Sequence, residues 1–200
     1  DILLENLKDN PDWKSVAGCS VKNDDLTTFV TTSRPRIKDL DSMPSPYLNG
    51  LFDPIADTTP YILESTIETT RGCPYACAFC YRGSQGERNY GMRSPEHLAI
   101  QKVFREIDWI ADNKVEFVYN ADSNFGMLKD HLDVTKYLVK KKKETGFPVG
   151  HRCDWAKDKG DKVIELAKLF YNANMDKGIT IALQSMNPET LKAIRRKNID

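Results

Sequence analysis

From Tyr61 onward, short β-branched or apolar runs alternate with segments whose apolar residues recur at helical spacing, and this alternation constrains the fold most. Ile67 to Thr70 predicts a strand. Ser94-Pro95-Glu96 then supplies a cap, a first-turn proline and an early acid, which together open a helix. Ile100, Val103, Phe104, Ile107 and Ile110 give that helix one apolar face. Val115 to Tyr119 predicts the next strand, followed by a helix from about Asp130 that Gly146 closes. Phe147 to Gly150 predicts a third strand, and the helix after Gly160 puts Val163, Leu166, Ala167 and Phe170 on one stripe. Gly178 to Leu183 reads as a buried strand, and Asn187-Pro188-Glu189 starts one more helix. No hairpin turn separates these strands, so four strand–helix units imply parallel strands joined by right-handed crossovers. Periodicity alone admits either an open doubly wound sheet or part of a (β/α) TIM-type barrel. In both, functional groups lie beyond the carboxyl ends of the strands. Those places are 71–93, 120–129, 151–159 and 184–187.

The first of them holds Cys73, Cys77 and Cys80, spaced Cys-x3-Cys-x2-Cys directly after a strand. Three thiolates at that pitch converge on one soft metal centre, and thiolates select iron–sulfur clusters, zinc or copper(I). A structural zinc site closes with four ligands, and no fourth follows at a close, regular spacing. Cys19 is distant, and Cys153 follows the third predicted strand. A cubane with three protein ligands leaves one iron open to a cofactor. A zinc knuckle completed by Cys153 or His97 is the alternative that the spacing leaves open.

Composition removes other classes. Lys+Arg and Asp+Glu balance at 29 each, so charge gives no case for nucleic acid or an anionic membrane surface. The run Lys140-Lys141-Lys142-Lys143 sits at a predicted helix end, where cations complement the dipole. Five cysteines, an odd number, do not suggest a secreted disulfide framework. No apolar run approaches the roughly 20 residues that cross a bilayer, and Asp1-Ile2-Leu3-Leu4-Glu5 is no signal sequence, which makes a reduced cytoplasmic setting the expectation. Both ends look cut from a longer chain. Residues 1–60 differ from 61–200: they hold an acidic stretch and a proline-punctuated connector from Arg34 to Pro60, expected to be a linker or docking arm outside the core.

Arg71-Gly72-Cys73-Pro74-Tyr75-Ala76-Cys77-Ala78-Phe79-Cys80-Tyr81 resembles the signature of the radical S-adenosylmethionine (SAM) superfamily. The resemblance implies a [4Fe–4S] cluster on Cys73, Cys77 and Cys80, with SAM chelating the open iron. It also implies reductive cleavage of SAM to start radical chemistry, an electron donor such as flavodoxin or ferredoxin as partner, and the Phe79 backbone against the adenine. Ser42-Met43-Pro44-Ser45-Pro46-Tyr47-Leu48 is similar to the connector of cobalamin-associated members. Asp122-Ser123-Asn124-Phe125-Gly126, Trp155-Ala156-Lys157 and Leu183-Gln184-Ser185 are similar to stretches of their barrels. On that likeness residues 1–60 are the tail and linker of a cobalamin-type domain, and residues 61–200 an incomplete barrel core. Cobalamin is then expected only with the upstream domain.

The same likeness assigns the other strand ends. Asn120 and Asp122 stand where the superfamily binds the SAM amino group, and a carboxylate accepts a charge-assisted bond from an ammonium; capping of the following turn by Asp122 and Asn124 is the competing reading. Arg152 would pair with the SAM carboxylate and Asp154 with a ribose hydroxyl, against a plain surface ion pair. Gln184 and Ser185 would contact the ribose or carboxylate. Cys153 reads as a small buried hydrophobe, His97 as an exposed helix residue, and Tyr81 and Arg82 as the end of the cluster loop. A non-catalytic zinc or iron–sulfur scaffold is the alternative function.

Overall fold

A computed structural model describes residues 2–34, 39–73, 75, 77–80, 91–92, 97–176 and 178–196. The Ser94-Pro95-Glu96 helix start, Tyr81, Arg82 and the side chain of His97 fall outside them. The chain forms two compact units, Asp1–Lys38 and Asp39–Asp200.

In the first unit, helix α1 (Ile2–Asn6) precedes a small antiparallel hairpin, β1 (Ser20–Lys22) with β2 (Thr28–Val30). Thr31 holds its base: the Thr31 hydroxyl accepts from Cys19 N at 2.8 Å and donates to Cys19 O at 3.1 Å.

The second unit begins with helix α2 (Asp53–Thr58) and is built on a parallel sheet in the order β3 (Glu64–Ile67), β6 (Phe117–Phe125), β7 (Gly150–Trp155). Two short strands, β4 (Thr70–Arg71) and β5 (Gly91–Met92), pair antiparallel beside it. Helices α3 (His97–Asp112), α4 (Asp130–Thr145) and α5 (Gly160–Asn172) connect or follow the sheet strands, and α6 (Pro188–Ala193) comes last. Parallel neighbours require crossovers, so the expected α/β class with a partial barrel holds.

The helices form where the apolar stripes predict them. Val103, Ile107 and Ile110 of α3, Val134 and Leu138 of α4, and Val163, Leu166 and Phe170 of α5 are all buried in one core with Ile67, Val118 and Phe125 of the sheet. Each such side chain contributes roughly 1.5–3 kcal/mol on leaving water. Gly146 ends α4 at φ +88°, its N–H on Lys142 O at 2.9 Å, a left-handed cap that a β-carbon would strain.

Four strand expectations change. The first strand, expected over Ile67 to Thr70, lies at Glu64–Ile67, and Thr70–Arg71 pairs with β5 instead. β6 runs on to Phe125, and β7 spans Gly150–Trp155 rather than Phe147 to Gly150. The polar residues that read as loops lie on strands because their alternate positions are covered by helices. A register irregularity between Asn120 and Phe125 brings Phe125 opposite Trp155. Gly178 to Leu183 forms no ladder and is mostly exposed. There Gln184 turns the backbone at φ +68°, and the Ala182 carbonyl accepts from the Arg196 guanidinium instead of from a strand. Its helix does form, capped by Asn187, whose side chain accepts from Glu189 N and Thr190 N.

The connector is also more than an arm. Tyr47 is buried in the core against Phe52 and Trp109. Its hydroxyl donates to Thr66 O at 2.8 Å and accepts from Thr66 N at 3.1 Å, on β3.

Candidate functional site

The loop after β4 carries Cys73, Cys77 and Cys80, all free thiols. Cys77 is buried, and its carbonyl accepts from Cys80 N at 3.1 Å, which closes the turn between the last two cysteines. Ala78 N donates to Ile194 O at 2.9 Å, so the end of α6 lies across this loop. Phe79, which is 53% exposed, has the Arg196 guanidinium over its ring at 5.8 Å.

Groups from the strand ends reach the sulfurs. The Asn124 amide, near the end of β6, donates to Cys73 Sγ at 3.3 Å. Lys157, two residues past β7, places Nζ 3.4 Å from Cys77 Sγ, and Arg196 Nη1 stands at 3.9 Å from the same sulfur. Of these three, sequence reasoning gives a role only to Asn124, as a turn cap. Asn124 and Lys157 lie in the family-like stretches at strand ends, which is the available signal; Arg196 carries none.

The expected cofactor contacts divide between the two faces of the sheet. Arg152 and Asp154 lie on the exposed face, where Tyr119 donates from its hydroxyl to Asp154 Oδ2 at 3.2 Å. Asn120 and Asp122 are fully buried on the face that meets the helices. Asp122 accepts from Thr69 N at 2.7 Å, Thr70 N at 2.8 Å and the Thr69 hydroxyl. Asn120 Oδ1 accepts from Asp122 N at 3.0 Å. Asp122 therefore holds the chain where it leaves β3 for the cysteine loop. Behind it stands His131, whose Nδ1 accepts from Gly126 N at 2.7 Å, which puts the ring proton on Nε2, 3.4 Å from Asp122 Oδ2. Gln184 is exposed, and Ser185 Oγ accepts from Asn187 N at 3.1 Å.

Cys153 packs into the core on the helix side of β7, where burial pushes its thiol well above the usual range. It is a small hydrophobe there. Its neighbour His151 stacks on Phe170 with ring centroids 4.0 Å apart, and both ring nitrogens lack a hydrogen-bond partner among the described residues. Burial lowers the His151 pKa from 6.5 to about 3, against a smaller opposing pull from Asp122. The unfolded chain thus binds a proton that the folded chain refuses, and stability is full above about pH 6.5 and falls as pH drops toward about 3. Urea titrations should lose up to ~1.4 kcal/mol per pH unit across that window. His151→Phe, which keeps the stack, should flatten the slope; an unchanged slope would assign the acid sensitivity elsewhere.

The family described as the Radical SAM superfamily matches residues 67–200. The chain belongs to the radical SAM superfamily. It is 35% identical over 204 aligned positions to a 2-(S-pantetheinyl)-carbapenam-3-carboxylate methyltransferase of Streptantibioticus cattleyicolor, an alignment covering 100% of this chain and 29% of that protein. It is 33% identical to the cobalamin-dependent radical SAM methyltransferase TokK of Streptomyces tokunonensis, again over 100% of this chain and 29% of the relative. A hopanoid C-2 methylase of Rhodopseudomonas palustris is 31% identical over 145 positions, 71% of this chain and 26% of that one. In fold, it resembles the cobalamin-dependent SAM radical enzyme OxsB, whose structure was solved with aqua-cobalamin and SAM bound; the TM-score is 0.60 at 18% identity, over 99% of this chain and 28% of that one. The radical SAM chain thus spans under a third of the length of these relatives.

The radical SAM family implies a [4Fe–4S] cluster and SAM, and the donor set fits. Three uncrosslinked thiols share one loop, and an amide N–H already points at Cys73 Sγ, as expected around cluster sulfurs. Among the described residues no three His, Cys, Asp or Glu side chains gather to hold a single ion. A cubane gives each thiolate its own iron, so its ligands need not crowd one point. No helix among the described residues is long and apolar enough to cross a membrane.

Proposed function

We propose that this chain is the core of a radical SAM enzyme in which Cys73, Cys77 and Cys80 hold a [4Fe–4S] cluster and SAM completes it. The observation that carries this reading is the three-cysteine loop, braced by Asp122 and within reach of N–H donors at two strand ends. When bound, the reduced cluster would supply the one electron that splits SAM into methionine and a 5′-deoxyadenosyl radical, which takes hydrogen from substrate. The protein's own work is to bind and orient. The Asn124 amide steadies the Cys73 sulfur, and Cys77 is itself shielded from water. Arg152, with its planar fork, is suited to a carboxylate, and Asp154, held by the Tyr119 hydroxyl, to a sugar hydroxyl; both occupy the exposed sheet face. Phe79, Gln184 and Ser185 complete this proposed SAM surface. Asn120 and Asp122 serve by positioning the loop.

Methyl transfer is the reaction class we propose, on the strength of the relatives' names, with the substrate supplied by the whole protein. Cobalamin belongs to the proposal only together with a cobalamin-binding domain, of which residues 1–60 would be the tail and linker. A low-potential donor of the flavodoxin or ferredoxin type would deliver the electron.

Anaerobic reconstitution with iron and sulfide, followed by dithionite and SAM, tests the reading. It expects a broad brown absorbance, a reduced-state EPR signal and release of 5′-deoxyadenosine. Stoichiometric zinc with no SAM binding by calorimetry would replace it with a scaffold role.

A further inference from the structure

Lys157 is buried, with 7% of its surface exposed, yet has no carboxylate partner among the described residues. Lysine is almost never buried unless its charge is paired, because a desolvated ammonium without an anion is costly. Among the described residues, two groups face this one. The Tyr75 ring covers it at 3.8 Å from Nζ to the centroid, and Cys77 Sγ lies 3.4 Å away. A neutral thiol does not compensate an ammonium. A thiolate bound to a cluster of net negative charge does.

We propose that Lys157 is a positioning residue whose buried ammonium compensates the charge of the Cys77-ligated cluster and thereby raises its reduction potential. The inference rests on the radical SAM reading above and adds an electrostatic role for one side chain. A low-potential one-electron donor adds one electron to the cluster, making it one unit more negative with no bond made or broken. A fixed cation beside a ligand sulfur stabilises the reduced form more than the oxidised one. Arg196 also approaches Cys77, but it sits at a more exposed position, where water and salt screen it.

The test uses the full chain reconstituted anaerobically with iron and sulfide, as wild type, Lys157→Met and Lys157→Arg. Each is titrated with dithionite and mediator dyes while EPR reads the reduced cluster. Lys157→Met should weaken one-electron reduction by a factor of ten or more, a fall of about 59 mV, and Lys157→Arg should stay near wild type. If Lys157→Met folds by circular dichroism but loads no iron, retention of iron by Lys157→Arg supports charge compensation. Loss of iron in both variants points to shape alone and overturns the proposal. Equal potentials in all three proteins overturn it too, as does an unmoved potential with weakened SAM binding, which would assign the ammonium to the SAM carboxylate. A wild-type chain that takes up no iron would sink the radical SAM reading itself, an outcome separate from these.

Discussion

Cys77→Ala should leave the reconstituted chain colourless, with iron and the reduced-state EPR signal at background and no 5′-deoxyadenosine formed. The expected loss is complete, because two thiolates do not retain a cluster that already lacks a fourth protein ligand. The fold should survive. Cys77 lies in the loop, outside the core cluster that α3, α4 and α5 build, so the cost in stability is about 1 kcal/mol. Circular dichroism and urea midpoints on the same samples separate the two effects. Retention of tightly bound metal by the alanine variant would require another ligand set and would remove the basis for an open iron.

Asp122→Ala should be the most destabilising single change in the site. It strands the Thr69 and Thr70 amides and the Thr69 hydroxyl in a buried setting, and leaves His131 Nε2 without the carboxylate it faces. Unsatisfied buried groups cost roughly 1–3 kcal/mol each and are not additive, so a total of about 3–5 kcal/mol is expected. For a chain of this size that lowers the melting temperature by roughly 10 °C. Iron uptake should fall as well, since the chain entering the cysteine loop loses its anchor. If thermal stability is unchanged while SAM binding weakens, Asp122 is a cofactor contact, as its place after the second predicted strand suggested, and the bracing role fails.

Much of this was readable from residue order. The stripe Val103, Ile107, Ile110 and the stop at Gly146 are local signals, and helices are built from local signals. The cysteine spacing was equally plain. Strand length was not. Asn120, Asp122 and His151 have the composition of loops, and only the helices packed on one face of the sheet turn them into buried strand positions. Gly178 to Leu183 failed in the opposite way: its apolar run fits a strand, but a strand exists only when paired, and no periodicity reports the missing neighbour. The partners of the sulfurs were hidden for a related reason. Lys157 and Arg196 come to Cys77 from 80 and 119 residues away in sequence, a distance across which no local pattern speaks.

The Tyr47 hydroxyl on Thr66 has a further consequence for how the sheet extends. By giving and taking a hydrogen bond at the outer rim of β3, it fills the positions that an incoming neighbour would use. At Thr66 a further strand could pair with β3 only by displacing the tyrosine, whereas at the β7 rim His151 N is taken by Met175 O at 2.8 Å.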